Sequence, residues 1–260
     1  MCRGRQGRVL FFIPSSGVVT SGNLTGVSLI VVTMNTRDHR PGTHEARSPD
    51  DRERGDEIGR HLNSLGELRE AVNACRRCGL YKEATQGVPG EGPAKAELMF
   101  VGEQPGDAED LEGHPFVGPA GSIFDRALHD AGITRAEAFI SNAVKHFKFE
   151  PRGKRRLHMK PNAGEIEACR WWLSEELKFV QPRLVVALGA TAARSVLGHT
   201  VTVSAMRGLP TPFTAEAHVW VTVHPSYLLR IPDHAQQRAE YARFVQDLEG
   251  AAAWLKRKKK

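Results

Sequence analysis

Four short apolar runs along the chain each end in a polar segment. The runs cover residues 97–101, 139–140, 184–188 and 219–223. Short apolar runs bounded by turn-forming residues predict buried β-strands. Apolar residues at helical spacing predict helices at about residues 120–131, 163–180, 190–197 and 235–255. This alternation predicts an α/β fold with three layers, α/β/α, around a central four-stranded parallel sheet.

The polar segments that follow these strands are expected to meet at one edge of the sheet. They cover residues 102–110, 141–146, 189–191 and 224–227. The first places carboxylates and an amide on a turn stiffened by Pro105. Because ligands of open parallel sheets bind beyond the carboxyl ends of the strands, the segments predict one site assembled from several loops.

Three regions of different composition divide the chain. Residues 1–62 lack sustained periodicity, and the charged and turn-forming stretch 36–60 cannot bury enough apolar surface to order a chain. We therefore expect a disordered N-terminal extension over residues 1–62, a folded domain over residues 63–255 and a basic tail over residues 256–260. Helical spacing from Leu65 onward marks the start of the folded domain.

A long insertion separates the second strand from the next helix. Residues 147–161 contain the run Lys154-Arg155-Arg156-Leu157-His158. A loop longer than about a dozen residues in a compact domain is usually functional or disordered. The cations suit a loop that lies along a phosphate backbone and presents the imidazole to the sugar. A solvated basic loop is the alternative, and the spacing alone favours it.

The composition of the chain, through its net positive charge, indicates a polyanion as a candidate partner. The 260 residues are 40% apolar and 25% charged, which is ordinary for a globular protein, and the formal net charge is +6. This charge favours a nucleic acid, although basic charge by itself does not establish one. No apolar run approaches the roughly 18 residues of a membrane span, and no targeting signal is recognised, so we expect no membrane partner.

Cys75 and Cys78 form a Cys-x-x-Cys pair, of the kind that begins metal sites. Cys169 and His146 are the candidate partners, whereas Cys2 belongs to the extension. Such a set suits structural zinc or an iron–sulfur cluster, and spacing does not separate the two. Reduced cysteines outside any metal site, with a surface histidine, are the alternative. Four cysteines in a chain of this length fit a reducing cytoplasm better than a disulfide framework.

Several motifs in order resemble those of the uracil-DNA glycosylase superfamily, over about residues 70–245. Residues 102–106, Gly-Glu-Gln-Pro-Gly, resemble the family-4 motif around the active-site water. Residues 116–121 resemble its uracil-stacking segment, Asn142 its base-reading asparagine, and residues 224–226, His-Pro-Ser, its second catalytic motif. The run at residues 154–158 narrows the resemblance to the UdgX group, in which a loop histidine captures the sugar and leaves the protein covalently attached to DNA.

This resemblance also implies a cofactor and a substrate. His146 stands where a typical family-4 enzyme has a cluster cysteine, which implies a 4Fe-4S cluster held by Cys75, Cys78, His146 and Cys169. Gln104 stands where small residues are common. The implied partner is uracil-containing single-stranded DNA, bound by a monomer in the cytoplasm and associated with the nucleoid.

Uracil chemistry suggests a role for each matched residue. Phe116 would stack on an extruded base, and the Asn142 amide would accept from N3 and donate to O4. His224 would donate to the developing O2 oxyanion, while Glu103 would stabilise the sugar cation or orient the attacking group. His158, held by Glu103 or Gln104, would attack C1′.

Further residues complete the expected site. Arg156 would fix the insertion or contact a phosphate, and Asp107 and Asp110 would hold the turn and the helix start. The catalytic set is then His158, Glu103, His224, Gln104 and Arg156, and the substrate-binding set is Asn142, Phe116, Gly102, Asp107 and Ser226.

Two alternatives remain open at this point. In an ordinary multiple-turnover uracil-DNA glycosylase, His158 would only line the DNA groove. A zinc-stabilised nucleic-acid binding module without catalysis would explain the basic charge and the Cys75/Cys78 pair.

Overall fold

The computed structural model describes residues 62–257. Nearly all of the expected extension, including Cys2, lies outside the described residues, as does the end of the basic tail. The strands are β1 (Leu98–Gly102), β2 (Phe139–Asn142), β3 (Phe149–Arg152), β4 (Arg155–His158), β5 (Leu184–Leu188), β6 (Pro210–Pro212) and β7 (His218–Thr222).

The predicted strands form the parallel centre of the main sheet. Its order is β2-β1-β5-β7-β6, with β2, β1, β5 and β7 parallel. Within residues 62–257 this sheet has five strands rather than the four expected, because β6 pairs antiparallel with β7. Strand β6 carries two prolines, Pro210 and Pro212, which is tolerated only at a sheet edge and hides the strand from pattern analysis.

The helices are α1 (Leu65–Asn73), α2 (Asp107–Glu112), α3 (Pro119–Asp130), α4 (Ala163–Val180), α5 (Ala190–Leu197), α6 (Val203–Met206), α7 (Pro225–Leu229) and α8 (His234–Arg257). The four predicted helices correspond to α3, α4, α5 and α8, with ends that differ by at most two residues. Of the helices in the described range, none is both long and apolar enough to cross a lipid bilayer.

Helices cover both faces of the sheet. Successive strand residues point to opposite faces. Phe100 therefore packs with α3 and α8 through Phe124 and Phe244, and its neighbour Val101 packs with α4 and α5 through Leu173 and Ala192. Burial on both faces explains the continuous apolar runs of the parallel strands. The three-layer α/β/α architecture is confirmed.

The insertion forms a two-stranded hairpin, not an irregular loop. Strands β3 and β4 pair antiparallel, with Phe149 opposite His158 and Arg152 opposite Arg155. Gly153, at φ 60°, lies in the turn between them. The cationic composition conceals this strand pattern in the sequence, because no run of apolar residues marks either strand. The hairpin places His158 at the end of β4.

Candidate active site

A cleft of about 630 Å³ is lined by residues from all four polar segments that follow the parallel strands. It is lined by eight of the ten residues expected to act in catalysis or substrate binding, namely Glu103, Gln104, Asp107, Phe116, Asn142, His158, His224 and Ser226. Gly102 and Arg156 adjoin these residues. The structure therefore brings the expected catalytic and binding residues together at one end of the sheet.

Asn142 ends strand β2 with its amide in the wall of the cleft. The residue is 2% exposed, and its Oδ1 has no hydrogen-bond partner among the described residues. Gly102 lies opposite it on β1, where a Cβ atom would stand 2.3 Å from that Oδ1 and 2.6 Å from Phe116 Cζ. A buried acceptor left unpaired is costly, so Oδ1 is suited to a donor on a ligand.

Phe116 forms another part of the wall in an uncommon backbone conformation. Its φ is 58°, in the left-handed region that non-glycine residues rarely adopt. Gly121 makes this possible, because a Cβ there would lie 2.0 Å from the Phe116 carbonyl oxygen. The Phe116 ring centroid lies 5.8 Å from that of His224. The strained backbone therefore holds an aromatic ring beside the candidate catalytic histidine.

His224 is a neutral hydrogen-bond donor at neutral pH. Its Nδ1 accepts a 3.2 Å hydrogen bond from the Ser226 backbone N–H at the start of α7. Since Nδ1 accepts, the neutral ring carries its proton on Nε2. Burial, together with repulsion from the charged forms of His158 and Arg230, lowers the pKa of His224 to about 4. The side chain can therefore donate through Nε2 without carrying a charge.

The lowered pKa of His224 makes protein stability depend on pH. The folded state takes up this proton near pH 4, whereas the unfolded chain takes it up near the ordinary value of 6.5. The contribution of neutral His224 is thus complete above pH 6.5 and is lost as the pH falls toward 4. Between pH 7 and pH 5 we expect the wild type to lose on the order of 1 kcal/mol more stability than His224→Gln. Urea unfolding at both pH values measures this difference, and equal losses would contradict it.

Glu103 is oriented by contacts on both of its carboxylate oxygens. Thr191 Oγ1 donates a hydrogen bond to Oε2. On the other side, Oε1 lies 3.8 Å from His158 Nε2. The main chain of Glu103 is fixed as well, since its carbonyl oxygen accepts from the Val144 N–H at 3.0 Å. The carboxylate thus faces the imidazole from a fixed position.

Gln104 anchors the base of the hairpin. Its Nε2 donates to the carbonyl oxygens of Lys148 and Met159, each at 3.1 Å. These two residues flank the hairpin, and the Met159 N–H donates to the Lys148 carbonyl oxygen at 2.9 Å. Of the two residues expected to hold the His158 ring, Glu103 therefore faces the ring, while Gln104 holds the backbone beside it.

Arg156 ties the hairpin to α2. Its Nε and Nη1 donate to Asp107 Oδ1 and Asp110 Oδ2, each at 2.5 Å. The guanidinium carbon lies 5.5 Å and 5.1 Å from the ring centroids of Phe147 and Phe149. Asp107 is the first residue of α2, and Asp110 is fully buried. Of the two expected roles for Arg156, the structure shows the fixing of the insertion.

Glu109 is a site residue that the sequence reasoning missed. This buried carboxylate accepts from the Gly106 N–H at 2.9 Å and from the Gly118 N–H at 3.0 Å. It therefore joins the loop that carries Glu103 to the loop that carries Phe116. A glutamate three residues after a helix N-cap is the spacing of a capping box, and this signal could have identified the residue.

The three cysteines of the domain lie in one buried cluster. Cys75, Cys78 and Cys169 pack with Trp172, whose Nε1 donates to Cys75 Sγ at 3.0 Å. The Lys145 N–H donates to Cys169 Sγ at 3.1 Å. Burial raises the pKa of the Cys169 thiol, and the neighbouring thiols raise it further. Within residues 62–257, however, no three or more His, Cys, Asp or Glu side chains are grouped closely enough to hold a metal ion.

His146 is a further buried side chain of a type that can bind a metal. It is 2% exposed, and its Nδ1 has no hydrogen-bond partner in the described part of the chain. Burial lowers its pKa to about 4, so the ring is neutral, as a metal ligand must be. A buried imidazole nitrogen without a partner and a cluster of buried thiols fit a thiophilic metal centre.

Known proteins resemble this chain over most of its folded part. Residues 89–249 match the Uracil DNA glycosylase superfamily. The type-4 uracil-DNA glycosylase of Thermotoga maritima is 35% identical over 189 residues, which are 72% of this chain and 93% of the relative. That of Archaeoglobus fulgidus is 34% identical over 187 residues, 69% and 89% of the two chains. A type-5 uracil-DNA glycosylase of Pyrobaculum aerophilum is 31% identical over 180 residues, 63% and 76% of the two chains. The chain thus belongs to the uracil-DNA glycosylase superfamily and is similar to its type-4 members.

Proposed function

We propose that this protein excises uracil from single-stranded DNA and remains covalently attached to the sugar C1′ through His158. The observation that carries the proposal is the position of His158. Its Nε2 lies 3.8 Å from Glu103 Oε1, in the wall of the cleft that Asn142 also lines. Gln104 and Arg156 anchor the hairpin that presents it. A nucleophile and an adjacent base at one site suit covalent catalysis.

Base selection rests on Asn142. Uracil presents an acceptor, a donor and an acceptor at O4, N3 and O2. The unpaired Oδ1 of Asn142 accepts from N3–H, and its amide nitrogen donates to O4. Cytosine has the opposite pattern at N3 and its exocyclic amine, so it leaves buried polar groups unpaired, and such a mismatch rejects an analogue by about 10⁴-fold. Because a base inside a stack is out of reach of the residues in the cleft, the nucleotide is extruded from the stack or already single-stranded.

Cleavage of the glycosidic bond separates a base anion from a sugar cation. The electron pair of the C1′–N1 bond leaves with the base, and its negative charge reaches O2. His224 Nε2–H donates to that oxygen, while the Glu103 carboxylate stabilises the positive charge at C1′. The neutral state of His224 supports this role, because the neutral ring already has an Nε2–H and donates a hydrogen bond without first taking up a proton.

Covalent capture requires a lone pair on His158 Nε2. A proton carried there passes by way of Glu103 Oε1 to solvent before the attack, so Glu103 is again a carboxylate and the neutral imidazole keeps its other proton on Nδ1. The Nε2 lone pair then forms the bond to C1′ as the C1′–N1 bond breaks. The products are an alkylated imidazolium ring and the uracil anion, which takes a proton from solvent to become free uracil. A carbon–nitrogen bond of this kind is stable, so the reaction stops at the intermediate.

Stoichiometry tests the proposal directly. The purified protein is mixed with an excess of a labelled single-stranded oligonucleotide that carries one uracil. We expect a band that survives boiling in detergent, and released uracil no greater than the protein present. An oligonucleotide with thymine at that position is the control and is expected to give neither. Abasic product in excess over protein would contradict covalent capture.

A conventional multiple-turnover uracil-DNA glycosylase is the second candidate. The relatives favour it, because those from Thermotoga maritima and Archaeoglobus fulgidus are named type-4 uracil-DNA glycosylases. In this case water attacks C1′, and His158 only lines the groove that holds the DNA. The same experiment then yields free abasic DNA in excess and no stable band.

We further propose that Cys75, Cys78, His146 and Cys169 hold a 4Fe-4S cluster. When bound, the cluster supplies positive charge that stabilises buried thiolates, and its role here is structural. The hydrogen bonds that Cys75 and Cys169 accept from Trp172 and Lys145 support ligation, since sulfur ligands of clusters accept such bonds. The hairpin lies between His146 and Cys169 in the chain, so these two ligands would fix the segment that carries His158.

Substitution of His146 tests the cluster. His146→Ala is expected to lower iron and sulfide content and to reduce the broad visible absorbance of the protein, because a ligand is lost. His129→Ala is the control, since His129 is exposed on α3. A colourless wild-type protein that contains zinc would contradict the cluster. Full capture by metal-free His146→Ala would contradict its structural role.

We assign the activity to the domain over residues 63–255, acting as a monomer in the cytoplasm on DNA of the nucleoid. Every described residue that lines the cleft falls within that range, which supports the assignment to this domain. The proposal gives the basic tail over residues 256–260 no part in the chemistry.

A further inference from the structure

Thr191 contacts Glu103, the proposed proton acceptor, on the carboxylate oxygen that faces away from His158. Its hydroxyl donates to Glu103 Oε2, while Glu103 Oε1 faces His158 Nε2. Thr191 is 4% exposed and is the second residue of α5, the helix that follows strand β5. The residue lines the cleft, and none of the roles assigned above uses it.

The geometry of this contact restricts how Glu103 can turn. A glutamate side chain has three rotatable bonds, and at 23% exposure the Glu103 side chain has room to adopt other conformations. A hydroxyl has one proton to donate. When Thr191 donates this proton in a hydrogen bond to Oε2, the carboxylate plane is fixed and Oε1 is the oxygen that faces His158. A hydrogen bond to a charged group is also stronger than one between neutral groups.

We propose that Thr191 is a positioning residue for the chemical step. It holds Glu103 so that Oε1 remains available to the proton of His158 Nε2 and to the positive charge at C1′. The inference rests on the proposed function and adds to it a requirement for a hydroxyl at position 191.

Three substitutions separate this role from packing. Thr191→Val replaces the hydroxyl with a methyl group of similar size, and Thr191→Ser keeps the hydroxyl while removing a methyl group. Ser195→Ala is the matched control on the same helix, because Ser195 is 2% exposed and its Oγ has no hydrogen-bond partner within residues 62–257. It removes a buried hydroxyl that does not reach Glu103.

Single-turnover rates of adduct formation and uracil release are measured together. We expect Thr191→Val to slow both by about 10- to 100-fold, the range for loss of a hydrogen bond to a charged group. We expect both rates of Thr191→Ser to lie within about 3-fold of those of the wild type, because the hydroxyl is kept. The rates of Ser195→Ala are expected to equal those of the wild type. Affinity is measured with an oligonucleotide carrying 2′-fluoro-deoxyuridine, whose glycosidic bond resists cleavage. This affinity is expected to stay unchanged in all three variants.

The outcomes separate the positioning role of Thr191 from covalent capture by His158. A wild-type rate in Thr191→Val would overturn the inference. Equal slowing by Thr191→Val and Thr191→Ser, or weaker binding that accounts for the slower rate, would assign Thr191 to packing and overturn it as well. If the wild type releases uracil without forming an adduct, covalent capture fails, and the rates of uracil release still decide the role of Thr191.

Discussion

Replacing His158 with alanine is expected to abolish the covalent complex with uracil-containing DNA. The imidazole supplies the only nitrogen that the proposal places against C1′, so its loss removes the new bond entirely. Asn142, Glu103 and His224 remain in the cleft, and water can take the place vacated by the ring. We therefore expect His158→Ala to release free abasic DNA instead of forming the adduct.

A denaturing gel with a labelled single-stranded oligonucleotide reports both products. The adduct migrates as a slow band, and alkali cleaves the free abasic product to a shorter one. His114→Ala is the control, because His114 is an exposed histidine that pairs with Glu91 and is not among the residues that line the cleft. A slow band of wild-type intensity in His158→Ala would show that another residue captures the sugar.

Replacing Asn142 with aspartate is expected to lower the single-turnover rate of uracil release by about 10³- to 10⁴-fold. Aspartate has the same size, but its carboxylate cannot donate to O4 and places a second acceptor against that oxygen. The side chain is buried at the end of β2, so water cannot compensate for the lost donor. The change therefore acts on recognition of the base edge.

The same substitution at another position provides the control. Asn162 is the N-cap of α4, and its Oδ1 accepts from the Glu165 N–H at 2.9 Å. An aspartate caps a helix equally well, so Asn162→Asp is expected to leave activity unchanged. Single-turnover uracil release measures both variants, and thermal unfolding verifies that each is folded. If Asn142→Asp retains a rate within tenfold of the wild type, another group reads the base.

Much of the fold follows from the sequence because the central strands are buried on both faces. Runs such as Leu184–Leu188 contain no polar residue, and the polar segments after them mark the strand ends. The strands of the hairpin and β6 could not be predicted in this way, for two different reasons. The hairpin is strongly cationic, and β6 contains Pro210 and Pro212. In both cases pairing with a neighbour, not apolar burial, decides the structure.

Candidate site residues could be named from the sequence, but their contacts could not. Arg156 is separated by 46 residues from Asp110, and Thr191 by 88 residues from Glu103. No local pattern connects residues so far apart, because the contact depends on the order of the strands and on the direction of each side chain. Glu103 and Gln104 are neighbours in the chain, but only the fold shows that Glu103 faces the His158 ring while Gln104 binds the hairpin backbone.

The two ends of the hairpin meet at one point of the fold. The Met159 N–H donates to the Lys148 carbonyl oxygen, and Gln104 binds both residues. Among the described strands, β3 and β4 pair with each other and with no strand of the main sheet. A segment with adjacent ends can be inserted or lost in evolution without rearranging the scaffold beneath it. On the proposed chemistry, a glycosylase that turns over and one that consumes itself could be separated by a single such genetic event.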